Sequence, residues 1–174
     1  MIQLLILLTL LQANFESDFG SLTVGDKISK EFAVKYLDAD ERFYGTYVSY
    51  ITFMKPQLGD QFRTLIFKES TGTCLSQFLV TFNSKGELVS KLKIMSQCDH
   101  DGARPVYVSW SYELNNTERL LNIDRTTETV ADKSIIGDDG FLIDGNSFHE
   151  VETTSETQFE TYSISETGEV KRNE

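Results

Sequence analysis

The pattern of apolar and polar positions changes period early in the chain. In "ISKEFAVKYL", Ile28, Phe32 and Tyr36 recur every four residues, with Ala33 and Leu37 beside them. A helical turn takes about 3.6 residues, so these five share one face and predict one short amphipathic helix. From Arg42 onward the period is that of strands. "RFYGTYVSYITFM" is aromatic and β-branched, and "FRTLIFKES" follows a turn-like "KPQLGD". "VYVSWSYEL" alternates Val106, Val108, Trp110, Tyr112 and Leu114 against Tyr107, Ser109, Ser111 and Glu113, as a strand with one buried face does. Asn115-Asn116-Thr117 makes a turn, and "RLLNIDRTTETV" returns as the partner strand. Further strands are expected at "FLIDG", "SFHEVETT" and "TQFETYSI", while "ESDFGSLTVGDK" reads as a mixed loop or short strand.

One hairpin can be written out residue by residue. Asn83-Ser84-Lys85-Gly86 fits a type I turn followed by a left-handed glycine, which pairs Asn83 with Glu87. In that register Phe82 faces Leu88, Phe78 faces Leu92, Ser76 faces Ile94 and Cys74 faces Ser96. "ISETGEVK" repeats the turn chemistry, but the flanking segments match at no fixed period, so no duplicated unit is read here.

Eight or so antiparallel strands after one short N-terminal helix predict a mainly β chain, with residues 20–174 as a single antiparallel domain. The meander is expected to close into a barrel or fold into a sandwich. The succession "LVTFNSKGELVSKLKI", a central alternating strand, "IGDDGFLID" and "YSISETGEVK" resembles small uncharacterised exported β-meander proteins of bacteria over roughly residues 60–174. That resemblance implies a fold rather than an activity.

The first thirteen residues do not fit the domain. "MIQLLILLTLLQAN" is apolar from Ile2 to Leu11 apart from Gln3 and Thr9, too short to span a bilayer but suited to the core of a signal peptide, with Ala13 before the cleavage point. Residues 1–13 are therefore expected to be a signal peptide, and the protein to be exported to the periplasm or the extracellular space. Against this, the segment carries no Lys or Arg before its apolar run, and Leu11 is large for its place. The alternative is a truncated apolar segment or a buried N-terminal helix.

Charge narrows the choice of partner. Residues 1–99 carry 10 basic and 11 acidic side chains, whereas residues 100–174 carry 6 and 16. The net charge of −11 thus resides almost wholly in the later part. Such a surface repels phosphate backbones and lacks the basic cluster that nucleic acid requires. A basic protein is the complementary partner, with Glu156 and Glu160 as candidate contacts.

"SQCDHDGARP" gathers the most reactive side chains. Export together with two cysteines predicts a Cys74–Cys98 disulfide closing 23 intervening residues. In the register above the two are diagonal neighbours about 7–8 Å apart, too far for a bond, so a bulge or fraying at the hairpin base is required. A Cys98 nucleophile activated by His100 is disfavoured, because Asp99 and Asp101 would raise the thiol pKa. Zinc held by Cys98, His100, His149 and an aspartate lacks finger spacing. Asp138, Asp139, Asp144 and Asn146 offer oxygen ligands without the EF-hand series, so turn chemistry is expected there. The sequence points to no cofactor, metal or catalytic residue.

Three function classes remain. The first is an exported, non-enzymatic binding protein, most concretely an acidic immunity-like or inhibitor-like protein for a basic partner. The second is a carrier of a small apolar ligand in a barrel cavity lined by Phe78, Phe82 and Trp110. The third is a hydrolase whose site is dispersed along the chain.

Overall fold

A computed structural model describes residues 14–98, 104–143 and 145–174. Residues 14–20 are helical (α1), and a second helix, α2, spans Lys30–Tyr36. Eight strands follow: β1 (Ser49–Met54), β2 (Phe62–Ser70), β3 (Cys74–Asn83), β4 (Leu88–Cys98), β5 (Val106–Asn115), β6 (Leu120–Val130), β7 (Thr153–Ile164) and β8 (Val170–Arg172). They form two antiparallel four-stranded sheets, β1-β2-β3-β4 and β5-β6-β7-β8, each in chain order. The chain is mainly β and antiparallel, as its alternation predicts. Among the described residues no ladder joins β4 to β5 or β8 to β1, and no helix is long and apolar enough to cross a membrane. The expected signal peptide, residues 1–13, lies outside the described residues.

The two central strands of the first sheet are buried on both faces. Leu65, Phe67, Val80 and Phe82 point to one side and pack with Phe15, Phe32 and Tyr36 of the helices. Phe62, Ile66 and Leu79 point to the other and pack with Ile94 of β4 and with Leu121, Ile123 and Ile164 of the second sheet. The helices, the first sheet and the second sheet are thus three layers around two cores. Helix α2 begins where the Ser29 hydroxyl accepts the Phe32 N–H at 3.1 Å, a standard N-cap, and it buries the predicted face of Phe32, Ala33 and Tyr36. Helix α1 is held to α2 by Asp18, whose carboxylate accepts from the Tyr36 hydroxyl at 2.7 Å and from the Lys35 ammonium at 3.1 Å.

The predicted turn forms. The Gly86 N–H donates to the Asn83 carbonyl, the Asn83 N–H donates to the Glu87 carbonyl, and Gly86 takes φ +82°. Ser165–Glu169 repeats this wiring with Gly168 at φ +89°. Each glycine is covered by a ring: a Cβ at 86 would meet Phe15 at 2.5 Å, and one at 168 would meet Phe62 at 3.1 Å. The second turn also docks back onto the first sheet. The Thr81 hydroxyl donates to the Gly168 carbonyl at 2.6 Å, and the Val170 N–H to the Ser90 hydroxyl at 3.0 Å.

The structure departs from the sequence reading in four places. Among the described residues there are two helices rather than one, since residues 14–20, which run into the 16–27 stretch read as loop or short strand, are helical and bury Phe15 and Phe19 one turn apart. Arg42–Tyr47 is a series of turns around Gly45 (φ +86°), and Tyr44 is buried by donating its hydroxyl to the Ile28 carbonyl. "FLIDG" contributes only an isolated Ile136–Leu142 bridge, and Phe148–Glu150 is a 3-10 turn. A turn from Gly137 to Gly140 comes directly before "FLIDG", and the 3-10 turn at Phe148–Glu150 follows it. Leu142 and Phe148 instead form a small third cluster with Val130.

Two substitutions separate backbone cost from packing cost. Gly72 (φ +89°) has open space where a Cβ would lie, whereas Gly86 does not. Gly72→Ala is expected to lower stability by about 1 kcal/mol, and Gly86→Ala by at least twice that, read from urea midpoints. A second expectation concerns acid. The Tyr36 hydroxyl, and then Lys35, hold the Asp18 carboxyl below its ordinary value, so its contribution is present above the unfolded pKa of about 3.9 and lost as pH falls through the lower folded value. Asp18→Asn should lower stability at neutral pH by less than about 1 kcal/mol, because the pair is half exposed. The difference from wild type should vanish in strong acid.

Candidate functional site

The β3–β4 hairpin starts in the register its turn dictates, with Phe82 opposite Leu88, and then departs from it twice. Val89 and Ile94 are extra residues on β4, so that Thr81 faces Ser90 and Gln77 faces Met95. Phe78 therefore faces Lys93 rather than Leu92, Ser76 faces Ser96 rather than Ile94, and Cys74 faces Cys98. Each bulge advances the register by one residue, and two remove the offset that separated the cysteines. Their Cα atoms are 3.9 Å apart and the sulfurs are bonded. The second bulge has a packing cause as well: Ile94 is fully buried in the core between the sheets.

That bond settles the role of the Cys98 sulfur, which has no thiolate to offer to a nucleophilic or zinc site while the disulfide stands. Asp99, His100 and Asp101 lie outside the described residues. His149 is placed near the bridge, where it and Tyr107 line a cavity of about 430 Å³ beside Cys74 and Cys98. Of the acidic loop, Asp144 is outside the described residues. Asp139 accepts the Phe141 N–H at 3.0 Å, and the Gly137 N–H donates to the Phe141 carbonyl at 2.7 Å, the turn chemistry expected.

A second cavity, of about 330 Å³, opens on the other side of Tyr107, where β4 and β5 run side by side unpaired. Its lining includes Lys93, Arg104 and Arg125, with Val106, Val108 and Trp110 as apolar wall. Trp110 and Arg125 are cross-strand neighbours, and the guanidinium carbon sits over the indole, 5.5 Å from its ring centroid. Among the described residues no carboxylate lines this cleft. Asp124 alternates to the opposite face of β6. Glu156 and Glu160 share the face of Arg125 one strand away, diagonal to it, and neither is within 4.0 Å of it.

The far side of the second sheet is open in a different way. β8 pairs only with Tyr162–Ile164, which leaves the outer edge of β7 without a neighbour over residues 153–160 among the described residues. Residues 154–159 are exposed in an unbroken run, and Phe159 is 73% exposed. Glu156 stands on this stretch with no ion pair among the described residues. Glu160 is half-buried and occupied: it accepts from the Tyr162 hydroxyl at 2.8 Å and lies 3.0 Å from the Arg172 guanidinium.

The three aromatics expected to line one barrel cavity are in different layers. Phe78 and Phe82 pack on the helix side of the first sheet, and Trp110 packs on the core between the sheets. Comparison with known protein families, curated proteins and solved structures finds no match.

The cationic cleft is what sequence reasoning missed. Its signal was present, because Arg125 continues the inward-facing series Leu121, Ile123 on β6, and a charge at an inward position of an alternating strand is informative. For the disulfide, Cys74→Ser with Cys98→Ser should lower stability by about 3 kcal/mol on the chain-entropy account. Reduced wild type should unfold at the same urea concentration as this variant, and non-reducing peptide mapping of oxidised protein should recover the two cysteines in one linked fragment.

Proposed function

We propose that the chain is an exported, non-enzymatic binding protein that docks a basic protein along the open edge of β7. The observation that carries this reading is the strand stretch 153–160, unpaired on one edge and exposed on both faces over residues 154–159. An added strand would take its main-chain hydrogen bonds from that edge, and its side chains would set specificity. Glu156 supplies a charge for a cross-strand Lys or Arg, and Phe159 supplies apolar area at the same edge. The surrounding field has the same sign, since residues 100–174 carry 16 acidic and 6 basic side chains. In this reading the two sheets act as an open sandwich, not a closed barrel. The disulfide suits an oxidising compartment, as an exported protein meets.

The test uses a ten-residue peptide alternating Lys and Val, labelled for anisotropy, beside its Thr/Val counterpart. The Lys/Val peptide should bind at low salt and weaken at least tenfold at 1 M, where the Debye length is about 3 Å. Glu156→Lys should weaken it further, and Phe159→Ser should weaken both peptides. Glu160 is left unchanged because it holds Arg172 and Tyr162 in place. Equal binding of the two peptides, or indifference to Glu156→Lys, would overturn the reading.

A further inference from the structure

The chain contains six arginines. Among the described residues, Arg42, Arg63, Arg119 and Arg172 each lie within 4.0 Å of a carboxylate. Arg104 and Arg125 do not, and both line the β4–β5 cleft, together with Lys93. With 27 acidic side chains against 16 basic ones, a surface assembled without selection for a ligand would tend to give these guanidiniums carboxylate partners. Instead two arginines and a lysine, whose ammonium lies over the Phe78 ring, line a cavity that has no acid among the described residues of its lining.

We propose that this cleft binds a small aromatic anion: one planar apolar ring system bearing a carboxylate or a phosphate. Each part of the ligand has a counterpart on the wall. Val106, Val108 and Trp110 provide the apolar surface against which a ring packs. The Arg125 guanidinium, held over the indole, is already oriented, so less rotamer freedom is lost when it takes an anion. Arg104, on the short segment before β5, brings a second fork of donors, and forked donors match carboxylate and phosphate oxygens in pairs. The volume of about 330 Å³ is at the low end of small-molecule sites and accommodates one fused ring rather than a chain of groups.

The same field excludes larger anions. An occupant of so small a cleft lies within about one Debye length, ~8 Å at physiological salt, of the cations that line it. A nucleic acid strand would extend past them onto a surface of the opposite sign. The proposal concerns a different surface from the β7 edge, so either can fail without the other.

The protein has a single tryptophan, and its indole N–H signal in a nitrogen–proton correlation spectrum reports on this cleft alone. Titration with 2-naphthoate and with 2-naphthyl phosphate should shift that signal saturably, and the tighter of the two identifies the anion. The neutral 2-naphthamide should bind about tenfold more weakly, the equivalent of one charge-assisted hydrogen bond, and inorganic phosphate alone more weakly still. Arg104→Gln and Arg125→Gln should each cost about tenfold for naphthoate and leave naphthamide unchanged. Lys85→Gln, at the exposed hairpin turn, should change neither. The remaining signals of each spectrum verify that the variants are folded. The proposal is overturned if naphthamide binds as tightly as naphthoate, if both arginine variants bind naphthoate as wild type does, or if naphthoate at millimolar concentration leaves the indole signal unmoved.

Discussion

Burial of β2 and β3 on both faces is the constraint on which the other layers depend. Leu65, Ile66, Phe67, Leu79 and Val80 are all fully buried, and they alternate between the helix side and the second sheet. A slip of one residue would exchange the two sets, placing Thr64 and Thr81 among the helices and Leu65 against the second sheet. Each fully buried side chain of this kind is worth about 1.5–3 kcal/mol, so the correct register is strongly preferred. The second sheet takes its position from the same residues. It meets them near Leu114, Leu121 and Tyr162, and its strands then run on past the cover. That overhang is where Val106 is 41% exposed, and where the cleft and most of the free stretch of β7 are found.

Features set by neighbours in sequence were legible, and features set by distant parts of the chain were not. Helix α2 and the Asn83–Glu87 turn follow from spacing and from the one conformation that favours glycine. The sequence called only for a bulge or fraying at the hairpin base, and nothing in "GELVSKLKIMSQC" marks Val89 or Ile94, nearer the turn, as extra residues; a disulfide at one end and a buried Ile94 select them. Helix α1 was invisible because Phe15 and Phe19 are one pair in a polar segment, and their burial is against Phe82 and Tyr36, far along the chain. The cleft unites Lys93, Arg104 and Arg125 through two strands that lie side by side without a ladder, and pattern reading does not pair such strands.

The sheet edges are treated unequally. The outer edge of β1 is closed by residues 25–28: the Gly25 N–H donates to the Thr52 carbonyl, the Thr52 N–H to the Asp26 carbonyl, and the Ile28 N–H to the Tyr50 carbonyl. β4 is interrupted by two bulges, which break the regular row of donors and acceptors that another strand would need. β7 has neither device over residues 153–160, and its protection from self-association is reduced to charge, chiefly Glu156. β7 thus differs from β1 and β4 in keeping a regular, uncovered row of donors and acceptors over this stretch.

The docking of the Ser165–Glu169 turn onto the first sheet also bears on the order of events when the chain folds. The Thr81–Gly168 and Ser90–Val170 hydrogen bonds span 87 and 80 residues, and the Phe62 ring, flanked early by Gly59, gains its contact with Gly168 only when that turn arrives. A ribosome releases the first sheet long before those residues exist, so one face of β2 and β3 waits uncovered. High sequence separation slows closure. Completion of the inner core is therefore tied to emergence of the last hairpin, and truncation just before Gly168 would leave a nascent chain with secondary structure but an unsealed interior.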